Sequence, residues 1–365
     1  MAIPTEAQVK EQRIWQKLAE LGYESLIVTR RDNFAWLTCG GRAVVCYGEP
    51  GSPVFLVLTP DHKYAVGYSI DLIRTAEEEL AGLGYEPIPL PSFGKTPAEV
   101  ALQRAVGRVA ADSPLPGATD INATIVSLHE PYTPEEMARY ALAAAESGEL
   151  IRELAYWVEP GMTERQVMAH AWELYVAHGF EGRYFFCGAD ERIRRYRHPV
   201  FTDKPIQHAV LIAPCAAKWG LHVPLTRMVY FDEPPADIRR RFRAVATMQA
   251  AMLATIRPGV KLTTLRAIYL ELFDSSGYPE EKDVHFHGGP IGYFGSMPER
   301  CLDQAEVVKP NMAFAWYFTV AGVKSEELML VTEQGATLRS VDPSWPLLEV
   351  EYEGQRLAVP DILVR

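Results

Sequence analysis

Between Glu6 and Gly22 the apolar side chains fall at Val9, Trp15, Leu18 and Leu21, a spacing of three and its multiples that predicts a helix. Short apolar runs follow at Ser25–Thr29, Phe34–Cys39 and Val54–Leu58, and these read as strands. Helix alternating with strand predicts an α/β domain at the front of the chain. Proline and glycine then punctuate Pro89–Pro97 and Pro114–Gly117. Thr133-Pro134-Glu135-Glu136 supplies a capping hydroxyl, a proline at the first helical position and carboxylates in the first turn. A long helix is predicted from there, with one apolar stripe through Met137, Tyr140, Ala141, Ala144, Ile151, Leu154, Ala155 and Val158, stopping at Glu159-Pro160-Gly161. The domain boundary is expected between about Ser127 and Pro134, which gives domains 1–130 and 131–365.

The second part repeats itself. Val158-Glu-Pro-Gly-Met162 returns as Ile256-Arg-Pro-Gly-Val260, an offset of 98. The same offset pairs Val167 with Leu265, Leu174 with Leu272, Tyr175 with Phe273, Gly179 with Gly277 and Phe180 with Tyr278. Each copy reads as a turn, an amphipathic helix, a glycine stop and a strand, with Arg183–Cys187 the strand of the first and Val284–His287 that of the second. Two such halves would pack about a pseudo-two-fold axis around a shared pocket. Two copies of that length exclude a solenoid.

Composition narrows the function. The chain of 365 residues is 48% hydrophobic and 23% charged, the proportions of a folded globular protein. Its net charge of −11 repels phosphate backbones and anionic lipid, so nucleic acid is not an expected partner. The opening MAIPTEAQVKEQ has no basic segment followed by an apolar core, and the longest nearly apolar stretch is Ala244–Ile256. Neither export signal nor membrane span is expected. The cysteines (Cys39, Cys46, Cys187, Cys215, Cys301) form no Cys-x-x-Cys pair and read as buried free thiols in a reducing cytoplasm.

The α/β front and the duplicated turn-helix unit resemble the pita-bread superfamily of aminopeptidase P, prolidase, methionine aminopeptidase and creatinase. Val210–Cys215 with Trp219–Arg227 is similar to its aspartate stretch, His285–Gly292 to its histidine loop, and Asn311–Phe314 with Gly322–Glu327 to its two glutamate strands. The resemblance implies an α+β fold class: a C-terminal pita-bread domain preceded by an α/β creatinase-type N-terminal domain. The family's metallopeptidases hold two metal ions with two Asp, one His and two Glu. Those places fall here on Ala213, Pro224, Gly289, Tyr317 and Glu326. Hard dications need several anionic or imidazole donors, so the resemblance implies no metal and no cofactor in this pocket.

Seven further side chains and Glu326 remain as candidates. His198, before Pro199, matches a family histidine that resembles the general acid/base of creatinase, although capping the turn before Pro199 would also explain it. His285 and His287 alternate along the expected strand, so both should face one side, with Phe286 opposite. His285 aligns with a substrate-contacting family histidine, and His287 has no counterpart. Glu326 is expected to point inward and Glu327 outward, with a structural pair between Glu326 and Arg227 as the alternative. Arg42 resembles the segment that in creatinase clasps a substrate carboxylate from the neighbouring subunit, and a solvated loop arginine is the plain alternative. His222 and Tyr317 stand near the lost ligand places and should line the cavity, while Arg192, Arg194, Arg195 and Arg197 form a basic patch beside His198. Thr226 stands where creatinase has a second glutamate, which argues against creatine as the substrate.

The leading expectation is a cytoplasmic, homodimeric, metal-independent hydrolase of a C–N bond in a small carboxylate-bearing amide or amidine. His198, Glu326 and His285 would be catalytic, and Arg42, His222, Arg227, His287 and Tyr317 would bind substrate. Two alternatives stand beside it: a peptidase whose metal site is built from His222, His285, His287 and Glu326, and a non-catalytic peptide- or protein-binding member.

Overall fold

The computed structural model describes residues 5–365. Residues 1–4, part of the opening segment read above as lacking an export signal, lie outside them. The chain divides into two compact units between Glu136 and Met137.

The N-terminal unit holds α1 (Glu6–Leu21), β1 (Ser25–Arg30), α2 (Arg31–Leu37), β2 (Gly51–Leu58), β3 (Lys63–Tyr68) and α3 (Ser69–Glu78). It continues with β4 (Glu86–Leu90), α4 (Pro97–Arg104), β5 (Val109–Ala111), β6 (Thr119–Asp120) and α5 (Asn122–Ser127). Thr5 and Gln8 cap α1 reciprocally, and Gly22, at φ 72°, ends it. The strands form one mixed sheet in the order β4-β3-β2-β1-β5-β6, over a core that includes Ile27, Val57, Val66 and Ala111. The expected strand at Phe34–Cys39 is instead helix α2 with the turn that follows it. Both edges of β1 are already taken, by β2 and β5, and Asn33–Leu37 is buried on every side, which erases the periodicity that separates a helix from a strand.

Helix α6 (Pro134–Trp157) begins just before the unit boundary, and past it come α7 (Glu164–Ala177), β7 (Glu181–Ala189), α8 (Glu191–Arg195), β8 (Ala209–Lys218), β9 (Leu221–Pro224) and β10 (Arg227–Tyr230). Then follow α9 (Ala236–Thr255), α10 (Leu262–Ser275), β11 (Gly289–Pro290), β12 (Ala313–Val320), β13 (Val323–Thr332) and β14 (Gly335–Leu338), and last β15 (Leu347–Tyr352), β16 (Gln355–Pro360) and β17 (Leu363–Val364). Thr133 and Glu136 cap α6 as the sequence predicts: Glu136 N donates to Thr133 Oγ1 at 3.2 Å and Thr133 N to Glu136 Oε2 at 2.8 Å. One sheet runs β17-β10-β8-β7 with β9 on β8, and a second runs β11-β12-β13-β14.

The 98-residue repeat is a repeat of hydrogen bonds as well as of letters. Gly161 N donates to Ile206 O at 2.8 Å, and Gly259 N to Val308 O at 2.9 Å. Ile206 N returns to Met162 O at 2.9 Å, and Val308 N to Val260 O at 2.8 Å. Helices α7 and α10 begin and end at the same offset. The copies diverge at their strands. Pro279–Asp283 forms a 3₁₀ turn and Val284–Gly288 is irregular, so the expected strand at Val284–His287 does not form, and the short β11 after it pairs Gly289 to Ala315 and Pro290 to Phe314. Gly288 passes so close to β12 that a Cβ there would stand 1.9 Å from Ala315 O.

Cys187, Cys215 and Cys301 are buried, Cys39 is half-buried and Cys46 is exposed, all unbridged. No helix among the described residues is long and apolar enough to cross a membrane.

Candidate functional site

The hairpin of β12 and β13 sets the floor of the site. Its register places Tyr317 opposite Glu326 and Thr319 opposite Lys324. Side chains alternate along a strand, so these four share one face while Trp316 and Glu327 share the other. Tyr317, Lys324 and Glu326 line a cavity of about 350 Å³ with Tyr184 and Phe186 from β7, with His198, and with His285, Phe286, Gly295 and Ser296 from the loops around β11. Both repeats therefore contribute to one pocket. Its floor is buried, with Tyr317 and Glu326 at 5% exposure and Lys324 at 4%, whereas Tyr184, His198 and Phe286 are exposed at its rim.

Glu326 Oε2 accepts from Lys324 Nζ at 2.8 Å and from Thr226 Oγ1 at 2.6 Å. Burial pushes this carboxyl up, but the ammonium and the two hydrogen bonds outweigh it and hold Glu326 below the usual carboxylate range. Thr226 N also donates to Glu326 O at 3.2 Å, which fixes the strand that carries it.

At the rim, His198 stacks on Phe186 with ring centroids 4.5 Å apart and planes 8° from parallel. Its Nε2 lies 3.2 Å from Nε2 of His285. His285 Nδ1 lies 2.7 Å from Phe286 O, and a carbonyl can only accept. The bond network thus assigns a proton to His285 Nδ1, leaves its Nε2 as acceptor, and makes His198 Nε2 the donor, with His198 Nδ1 unprotonated in the neutral ring. Burial and the nearby Lys324 ammonium lower both imidazoles, His285 to about 4. The pair is neutral at pH 7, able to take up a proton.

Several sequence expectations change here. His285 and Phe286 both line the cavity, while His287 turns to Tyr269 and stacks on Trp316 at 6.0 Å, because the irregular backbone of this loop does not alternate as a strand does. Arg227 pairs with Glu327, not Glu326, and neither lines the pocket: the register puts Glu327 on the reverse face, where Ser340 Oγ also donates to it at 3.1 Å. Glu327 does not point to solvent, being 1% exposed. His222 is buried outside the lining, its Nδ1 unpartnered, and burial drives it down to about 3. The basic patch is engaged: Arg192 pairs with Glu164 at 2.8 Å, Arg194 with Asp237 at 3.2 Å and Arg197 with Glu281, while Arg195 stands over Tyr196. Arg42 belongs to the N-terminal unit, where it is exposed and its Nη2 donates to Tyr47 OH at 3.4 Å. Lys324 is absent from the candidate list, although its place two residues before Glu326 on a strand was the signal that would have found it.

Residues 138–333 match metallopeptidase family M24. The chain belongs to that family. It is 26% identical over 160 residues to the uncharacterized hydrolase/peptidase y4tM of Sinorhizobium fredii, a match covering 40% of each chain. The fold is similar to the prolidase of Pyrococcus horikoshii (TM-score 0.76, 16% identity, covering 92% of this chain and 99% of the other). It is likewise similar to dipeptidase PepE of Mycobacterium ulcerans (TM-score 0.75, 20% identity, covering 99% of each). The architecture is thus the pita-bread fold with its N-terminal domain.

The side chains present do not fit the metal pair the family name implies. Ala213, Pro224 and Gly289 offer no donor, and burial raises the Tyr317 phenol above its ordinary value, which disfavours a phenolate. The remaining carboxylate, Glu326, is neutralised by an ammonium that would repel a dication. Among the described residues no group of three His, Cys, Asp or Glu side chains is placed to hold a metal ion. The alternative built on His222, His285, His287 and Glu326 fails because two of the four do not line the pocket.

Proposed function

We propose that this M24 member hydrolyses a C–N bond in a small carboxylate-bearing amide or amidine without a metal ion. The observation that carries the reading is the neutral His198–His285 pair, with Nε2 atoms 3.2 Å apart, set above a buried Lys324–Glu326 ion pair in one cavity. In this reaction water adds to the amide or amidine carbon while its proton passes to His198. The C–N bond then breaks and His198 returns the proton to the leaving nitrogen, so acid and base are one residue. His285 holds the His198 tautomer, and Glu326 accepts a substrate N–H. Phe186 fixes the plane of the His198 ring by stacking.

A cavity of about 350 Å³ is at the small end of ligand sites, which favours a substrate of amino-acid to dipeptide size. The reading extends to a cytoplasmic homodimer. His198→Ala should lower kcat about 10²- to 10⁴-fold on any small amide or amidine the protein turns over. Undiminished turnover, or turnover abolished by a chelator and restored by a divalent metal, would overturn the proposal. A protein that turns over nothing in such a panel, yet retains peptide, is a binding member.

A further inference from the structure

We infer that Lys324 is the anchor for the substrate's carboxylate, so that the anion-binding half of the pocket is complete within one chain. The inference rests on the proposed substrate class and adds the group that selects it. Among the described lining residues Lys324 is the one cationic side chain, since the histidine pair is neutral and Arg227, Arg192, Arg194 and Arg197 are committed to Glu327, Glu164, Asp237 and Glu281. An ammonium has three donors. One is spent on Glu326 Oε2 at 2.8 Å, and the side chain reaches across the Tyr317 ring, 5.8 Å from its centroid, where the ring face offers charge attraction but no acceptor oxygen.

The two hydrogen bonds to the Glu326 side chain both fall on Oε2. Lys324 and Glu326 thus present opposite charges side by side on a buried floor, while the rim above is aromatic. That arrangement matches a small molecule carrying a carboxylate and an N–H donor a few bonds apart. The carboxylate takes a free ammonium hydrogen and the N–H meets Glu326. A zwitterionic ligand, with a carboxylate on Lys324 and a cationic N–H group on Glu326, leaves the pocket's charges balanced, which a dication would not achieve. A charge-assisted hydrogen bond in so dry a site is worth roughly 10- to 100-fold in affinity.

The test is calorimetric titration, without turnover, in a His198→Ala background. The probes are N-acetylglycine and guanidinoacetate, each compared with its uncharged primary amide. We expect at least one carboxylate to bind more tightly than its amide, and Lys324→Met to weaken that carboxylate by tenfold or more while leaving the amide within about threefold. Lys324→Arg should restore part of the preference. Arg42→Ala should leave it intact. If Lys324→Met does not fold, the pair-neutral Lys324→Met/Glu326→Gln variant, which leaves no orphaned charge, must show the same lost preference. No carboxylate preferred over its amide, a preference that survives the loss of Lys324, or a preference removed by Arg42→Ala would each overturn the assignment. Because binding is read with His198 removed, the anchor can stand when the proton-transfer role falls, and the reverse.

Discussion

Glu326 and Glu327 are neighbours on one strand, both almost wholly buried and both paired to a cation, yet their loss should have unequal consequences. In Glu327→Gln the Arg227 guanidinium, 2% exposed, keeps its charge and loses a carboxylate that it meets through two nitrogens. No lining of the cavity includes Arg227, so water cannot easily replace the missing charge. Removing one partner of such a pair costs about 3–5 kcal/mol. In Glu326→Gln the orphaned ammonium of Lys324 faces the cavity and can hydrate there, and the amide oxygen can still accept from Thr226, so the loss should be about 1–2 kcal/mol. At about 2–4 °C per kcal/mol for a unit of this size, the variants should melt roughly 6–20 °C and 2–8 °C below wild type. Scanning calorimetry following the C-terminal unit reads the difference. Turnover at a permissive temperature should show the opposite ranking, with Glu326→Gln impaired and Glu327→Gln near wild type. Equal melting shifts, or a larger shift for Glu326→Gln, would refute the argument that access to the cavity separates the two.

Three further outcomes follow from the same geometry. Gly288→Ala should destabilise the C-terminal unit by about 2 kcal/mol or more and displace the His285 loop, since its Cβ would meet backbone 1.9 Å away on β12; thermal melting and turnover check it. His222 is neutral when folded because burial lowers it to about 3, so the unfolded state binds its proton first as pH falls from about 6.5, and stability is lost across that window. His222→Gln should therefore flatten the acid side of the stability profile below pH 6.5 by up to roughly 4 kcal/mol, measured by denaturant titration at several pH values. Lys324 lowers His198 and His285, so Lys324→Met should move the acidic limb of the kcat profile to higher pH, while a limb that stays put would remove Lys324 from their titration.

Much of the architecture could be read locally. The caps of α6, the proline-glycine turns and the 98-residue echo are short-window signals, and the turn residues of each copy make the same pair of hydrogen bonds, to Ile206 in the first and Val308 in the second. Residue identity also fixed that Ala213, Pro224 and Gly289, where the resemblance puts metal ligands, carry no side-chain donor, because whether a donor is present does not depend on packing. The direction of a side chain in an irregular segment does depend on it. His287 and Phe286 exchanged sides because Val284–Gly288 lies against β12 through a glycine and not as a strand, and the Phe34 run became helix because β1 had no free edge. Partner choice was equally a matter of the folded state: Arg227 found Glu327, Thr226 found Glu326 and His198 found His285 across separations of 87 to 100 residues, which register and burial decide and no local pattern encodes. The sequence by itself thus determined the frame and which side chains it carries. Only the tertiary structure decided which cation the pocket keeps, since Lys324 shares the inward face with Glu326 while Arg227 is held by Glu327 on the reverse face, and register and burial set which carboxylate each cation meets.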